Sequence, residues 1–289
     1  MLTLFTDTDT DFTPSVAAEY GFKLISMPYS VDGKTIFPYA DGKEMDLHAF
    51  YDTLRAGALP TTSAIGEDAY IEYFEPEFAA GNDIFYVHFS AAMTVTFDAM
   101  KSALEKLKAK YPERKFYEVD TKGITIISYT ITRSIGDLFK AGKSPEEVLE
   151  WADREVDRFV QYSFADDLKF FRRSGRVGGL AATMGGLIGL RPLIHMSAEG
   201  KMESIGTVKG RINAMEKLVN YVAEEGDDIK NYRFVVGHTD APELAAQVSD
   251  MLKAKFGEDL DIEMVVTNPT AGSHCGPNGV GVCFHAKHR

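Results

Sequence analysis

A two-domain α/β architecture is what this sequence predicts, and three observations predict it. Apolar, β-rich runs alternate with segments of helical spacing through the first half, the pattern of a parallel, doubly wound sheet. The run at 83–89 (Asp-Ile-Phe-Tyr-Val-His-Phe) is an apolar stretch with no regular alternation, as in strands buried on both faces. The second half adds a hairpin to further strand–helix pairs, which requires a mixed sheet. At roughly 100–200 residues per domain, the 289 residues make one large or two ordinary domains, and the change of pattern after about residue 160 favours two. The N-terminal α/β domain covers 1–160, a mostly parallel sheet flanked by helices. The C-terminal α/β domain covers 161–289, with a mixed sheet.

Residues 2–6 make the first strand. It ends in Asp7-Thr8-Asp9-Thr10-Asp11, read as a solvated polar loop because it lacks the glycine and distal glutamate of a calcium loop. A short helix at 15–20 and a strand at 22–27 follow. After a Gly/Pro-punctuated loop, Leu47, Phe50, Tyr51 and Leu54 space a helix over 45–55. Pro60-Thr61-Thr62-Ser63 introduces a helix over 67–78. The strand at 83–89 leads to a helix at 97–111, with Phe97, Met100, Leu104 and Leu107 on one face, and to a strand at 115–119. Residues 123–135 carry strong β propensity through Ile124, Thr125, Ile126 and Ile127. Ser144-Pro145-Glu146-Glu147 places Ser at the N-cap, Pro at the first helical position and Glu at the third, starting a helix that runs to about 159. The second half reads as a strand at 161–164, a helix near 167–173, a Gly-rich helix over about 179–188 and a hairpin at 192–196 and 202–208. Helices at 211–224 and 242–255 and strands at 233–237, 262–267 and 279–284 complete it. Residues 271–279 read as a turn-rich loop.

The charge balance, 31 basic against 43 acidic residues for a net −12, argues against nucleic acid and against an anionic membrane surface, both of which need clustered Lys/Arg. Met1 to Asp7 lacks the basic start and apolar core of a signal peptide, and no run approaches the ~20 apolar residues of a membrane span. With only two cysteines, the expectation is a soluble cytoplasmic protein without a disulfide framework.

Two hydroxyl-rich junctions carry the candidate chemistry: Thr61-Thr62-Ser63 before one helix, and Ser90-Ala91-Ala92-Met93-Thr94-Val95-Thr96 between a strand and the next helix. Singly, such residues cap helices. Together, at the carboxyl ends of parallel strands, they suit a carboxylate or phosphate. The enzymatic alternative is a hydrolase or acyltransferase using Ser63 or Ser90 with His274, although the Gly-x-Ser-x-Gly elbow is absent. No metal motif occurs among the seven histidines, and neither nucleotide-binding glycine motif is present. Against the global charge, Lys169, Arg172, Arg173 and Arg176 form a basic island, an anion clamp or a docking patch for an acidic partner.

In this order and spacing, the chain resembles the DegV family of bacterial fatty-acid-binding proteins. The likeness is carried by Pro60-Thr61-Thr62-Ser63, His88-Phe89-Ser90 with Met93-Thr94-Val95-Thr96, Asp120-Thr121-Lys122, Phe171-Arg172-Arg173-Ser174-Gly175-Arg176-Val177 with Gly185-Gly186-Leu187-Ile188-Gly189-Leu190-Arg191-Pro192, and Ser273-His274-Cys275-Gly276-Pro277 with Gly281-Val282. It implies that 123–135 is a buried helix and that one long-chain fatty acid lies between or within the two domains. The resemblance further implies that Thr62, Ser63, Ser90, Thr94 and His274 hold the carboxylate, and that Arg172, Arg173 and Arg176 meet the head group or a partner. That partner is a fatty acid kinase, which makes an acyl-phosphate destined for phospholipid synthesis; the binding protein itself carries no catalytic residue, metal or cofactor. Four departures stand out: Ala91 replaces a serine, Val95 a glycine, Ser174 the first glycine of a Gly-Gly-Arg pattern, and Asn278 the second glycine of a Gly-Pro-Gly turn. Burying ~14 methylenes yields on the order of 11 kcal/mol before association costs, against ~1.5–3 kcal/mol for each charge-assisted hydrogen bond to the head. The tail is therefore expected to dominate affinity and the hydroxyls to set orientation.

Overall fold

A computed structural model describes residues 1–166, 168–178 and 189–289. In the first half, β1 (Leu2–Asp7) runs into a 3-10 turn at Thr8–Thr10, followed by α1 (Pro14–Tyr20) and β2 (Phe22–Ile25). A hairpin of β3 (Tyr29–Val31) and β4 (Lys34–Ile36) precedes α2 (Leu47–Arg55) and the two-residue β5 (Thr61–Thr62). Then come α3 (Glu67–Ala79), β6 (Asp83–His88), α4 (Thr96–Lys110), β7 (Phe116–Asp120), α5 (Ile126–Lys140) and α6 (Pro145–Glu155). The second half contains β8 (Phe159–Phe164), α7 (Lys169–Ser174), β9 (Val177–Gly178), β10 (Leu190–Met196), β11 (Met202–Lys209) and α8 (Arg211–Glu225). It ends with β12 (Phe234–His238), α9 (Pro242–Phe256), β13 (Ile262–Val266), α10 (Pro269–Cys275) and β14 (Val280–His285).

The first sheet is all parallel, in the order β2-β1-β6-β7. Its central β6 is buried along Ile84–His88, which is why that run shows no alternation. The second sheet is mixed, in the order β13-β12-β14-β8-β10-β11-β9 among the described strands. Both halves are thus α/β, one parallel and one mixed, as the sequence predicts. The strands of the first sheet come from residues 2–120 and those of the second from 159–285.

The β-branched stretch after Gly123 is helical, because the space between the two sheets decides it. Ile127, Ile131 and Ile135 of α5 are fully buried. Ile126 lies so close to β12 and β14 that a Cβ on Gly237 would sit 2.3 Å from its side chain, and one on Gly281 3.4 Å away. Packing overrides a propensity difference of a few tenths of a kcal/mol per residue. The capping box at Ser144 and Glu147 is formed, and its helix ends at Glu155, passing into a 3-10 turn at Val156–Arg158.

Several expectations are corrected. Asp7, Asp9 and Asp11 are buried, not solvated: the first 3-10 turn closes over the end of β1. Residues 271–279 are no simple loop, since α10 takes up Pro269–Cys275. Asn268 is its N-cap, the side chain accepting from the Ala271 N–H at 2.9 Å, and Pro269 follows at the first turn. The small sheet β4-β3-β5 goes unread in the sequence because its strands are only two or three residues long. The Gly-rich helix expected over about 179–188 lies outside the described residues.

Candidate functional site

The order β2-β1-β6-β7 makes the chain leave β1 toward one edge and β6 toward the other. Loops diverge at that switch point and leave a crevice beyond the carboxyl ends of the strands. A cavity of about 440 Å³ lies there, within the range of about 300–1,000 Å³ usual for small-ligand sites. The turn after β1 supplies Asp9, the segment after β6 supplies Ala92 to Thr96, and β8, β11 and α10 of the second half close the far side. Much of the wall is apolar, including Met27, Phe89, Ile124, Phe171 and Met202.

Thr62, Ser63, Thr94, Arg176 and His274 all line this cavity. β5 holds Thr62 in register with Tyr29 of β3, and α10 presents His274 from its last turn. The Thr62 hydroxyl and His274 Nε2 share a hydrogen bond of 2.8 Å across 212 residues of chain. Burial, then the guanidinium groups of Arg176 and Arg173, push the imidazole down to about 4, so the ring is neutral at neutral pH. Thr94 Oγ1 also accepts from the Thr96 N–H at 3.1 Å, tying this loop to the start of α4. Val95 sits at φ −97°, which any residue adopts, so the missing glycine causes no backbone strain. Its side chain is 69% exposed at the cavity rim.

Ser90 stands apart. It is 1% exposed, its hydroxyl donates to the Gly200 carbonyl at 2.7 Å, and it is not among the cavity-lining residues. Gly200, at φ +76°, is required there, because a Cβ would lie 2.2 Å from Ser90 Oγ. The serine thus fastens the end of β6 to the β10–β11 turn. Arg173 Nη1 donates to the Pro60 carbonyl at 2.9 Å, beside the Thr61-Thr62-Ser63 segment, while Arg172 is exposed. Cys275 also lines the cavity, and burial pushes its thiol up to about 12, which leaves little thiolate for nucleophilic work.

Sequence reasoning missed a second polar group in the wall: Asp9, Thr125, Gln161 and Ser163. Thr125 adopts φ +58°, unusual for a β-branched residue, while its N–H donates to the Asp9 carbonyl at 2.8 Å. The alternating carboxylates were visible in the sequence, but nothing local told whether they faced water or the interior. Among the described residues, His48, Asp52 and Asp240 come close enough to hold a metal ion. Arg55 already bridges both carboxylates, at 2.9 Å and 2.6 Å, and supplies the positive charge.

Comparison with known proteins agrees with this architecture. The model of the DegV family of uncharacterised proteins matches residues 1–287. A DegV domain-containing protein of Clostridium perfringens is 26% identical over 282 residues, covering 97% of this chain and 96% of the relative. One from Deinococcus radiodurans is 26% identical over 290 residues, covering 98% of each. Among solved structures, a DegV family protein from Eubacterium eligens loaded with heptadecanoic acid superposes with a TM-score of 0.84 at 20% identity, covering 99% of this chain and 100% of the other. A stearic acid-binding protein from Eubacterium ventriosum gives 0.85 at 16%, covering 99% of each chain. These structural likenesses establish the fold.

Proposed function

This chain belongs to the DegV family, and we propose that it is a cytoplasmic carrier that buries a long-chain fatty acid and presents the carboxylate to a partner fatty acid kinase. The observation that carries the reading is that Thr62, Ser63, Thr94, His274 and Arg176 all line one largely apolar cavity, with Thr62 and His274 in hydrogen-bond contact. The Eubacterium relatives with bound heptadecanoic and stearic acids support the ligand class. The reading takes 1–160 and 161–289 as the two domains that close on the lipid. A carboxylate there accepts from neutral hydroxyls and one guanidinium, which orients the head without a buried excess of positive charge. Arg172, Arg173 and Arg176 are exposed, Arg176 in the cavity wall, and form the basic face offered to the kinase. Acyl-phosphate formation then belongs to the kinase, and the product enters phospholipid synthesis.

The hydrolase reading lacks its base. Among the described residues His274 Nε2 bonds Thr62 and neither Ser63 nor Ser90, and an imidazole held near 4 is a weak base at neutral pH. No carboxylate pairs with it among the described residues.

Titration with a fatty acid and with its methyl ester tests the proposal. The ester is expected to bind at least tenfold more weakly, because it loses charge-assisted hydrogen bonds worth about 1.5–3 kcal/mol each. Equal binding contradicts a carboxylate site. A bound carboxylate raises the imidazole's proton affinity, so the complex holds more protons than the free protein. Affinity for the acid is therefore expected to rise as pH falls from neutrality toward about 5, above the range in which the ligand's own carboxylate protonates, with this slope reduced in His274→Gln.

A further inference from the structure

The cavity wall contains one carboxyl group that a plain alkyl chain cannot satisfy. Asp9 is 5% exposed and lines the cavity; its Oδ1 is sealed off without a hydrogen-bond partner among the described residues, so contact with a ligand falls to Oδ2 of the same carboxyl. Its neighbours do not reach the cavity, and most of their oxygens are committed elsewhere, Asp11 Oδ2 alone being unpaired as well among the described residues. Asp7 Oδ1 accepts from the Asp9 N–H at 3.0 Å, and Asp7 Oδ2 from the Tyr86 hydroxyl at 3.1 Å and the Phe89 N–H at 3.2 Å. Asp11 Oδ1 accepts both the backbone and the side-chain N–H of Asn268, at 2.8 Å and 2.7 Å. Asp9 alone of the three lines the cavity, on a wall it shares with Thr125, Gln161 and Ser163.

We infer that the preferred ligand is an oxygenated fatty acid, whose hydroxyl or keto oxygen along the chain pairs with the Asp9 carboxyl while its own carboxylate sits at Thr62 and His274. The inference rests on the fatty-acid reading given above and names the ligand class within it. Burial, reinforced by the charges of Asp7 and Asp11, pushes the Asp9 carboxyl well up and favours its protonated form. A neutral carboxyl donates one O–H and accepts at its other oxygen, so it matches a hydroxyl or a ketone better than it matches a cation. A saturated chain expels water from this wall and leaves the group unpaired in hydrocarbon, whereas an oxygen at the right depth restores the hydrogen bond. A site built to pair with a substrate oxygen discriminates strongly against the analogue that lacks it. In a wholly apolar tunnel the same oxygen weakens binding, so the sign of the preference is diagnostic.

The test compares octadecanoic acid with a set of its positional hydroxy isomers, titrated into the full-length, delipidated protein and into Asp9→Ala. At least one isomer is expected to bind about tenfold more tightly than the plain acid, with the advantage lost in Asp9→Ala. If the plain acid binds more tightly than every isomer, or if the advantage persists unchanged in Asp9→Ala, the inference is overturned while the fatty-acid reading stands. Binding of neither class overturns the fatty-acid reading and this inference together. Should Asp9→Ala fail to fold, the order of affinities in the unmodified protein decides alone.

Discussion

Asn268→Leu is expected to destabilise the protein by about 3 kcal/mol, measured by denaturant unfolding at neutral pH. Asn268 is 1% exposed and does two jobs with one side chain. Its Oδ1 caps α10 by accepting the Ala271 N–H, and its Nδ2 donates to Asp11 Oδ1 at 2.7 Å. Losing an N-cap costs about 1 kcal/mol, and losing one of the two hydrogen bonds to Asp11 Oδ1, the backbone N–H bond at 2.8 Å remaining, costs about 1.5–3 kcal/mol more once that carboxyl is charged. The deficit has a pH signature. Burial pushes Asp11 up to about 7 even with Asn268 in place, so its raised pKa contributes stability that is full below the unfolded value and is lost as pH rises through about 7. Without the amide the carboxyl is pushed higher still, so the deficit grows from mild acid to mild alkali. A loss under about 1 kcal/mol, or one independent of pH, contradicts this role. Because α10 carries His274, the same variant also loosens the head-group site.

Lengthening a saturated acid by four methylenes is expected to tighten binding by about 3 kcal/mol, a factor of about 200, until the chain meets the end of the cavity. The apolar wall, with Met27, Phe89, Ile124, Phe171 and Met202, is what converts length into affinity. The carboxylate contacts are identical across such a series, so its slope isolates the tail. A flat series places the affinity in the head and contradicts the division of labour between apolar wall and hydroxyls. The plateau marks where the lining closes.

Long elements were legible because their signals were redundant. The β6 segment has a continuous apolar run, and α6 has Ser, Pro and Glu at the three positions of an N-terminus. The α5 segment was not legible from propensity, since its isoleucines suit a strand equally; burial between two sheets decides it, and no local pattern reports that. α10 was recoverable in hindsight from Asn268-Pro269, an N-cap followed by proline, but Gly272 within its seven residues and the Gly276-Pro277 that follows them are turn signals that masked it. At the site, the spacing and resemblance brought Thr62, Ser63, Thr94, Arg176 and His274 to one cavity, as the geometry has it. Ser90 was indistinguishable in sequence from these hydroxyls, because its commitment to Gly200 joins positions 110 residues apart. The carboxyl of Asp9 was unreadable for the same reason: only the closed 3-10 turn places it inside.

The most direct measurement is mass spectrometry of an organic extract from the purified, untreated protein, with the lipid quantified against protein. The account predicts close to one equivalent of a long-chain fatty acid per chain, reduced in Thr62→Val combined with His274→Ala. A folded protein that releases no fatty acid, and takes none up when it is offered, contradicts it.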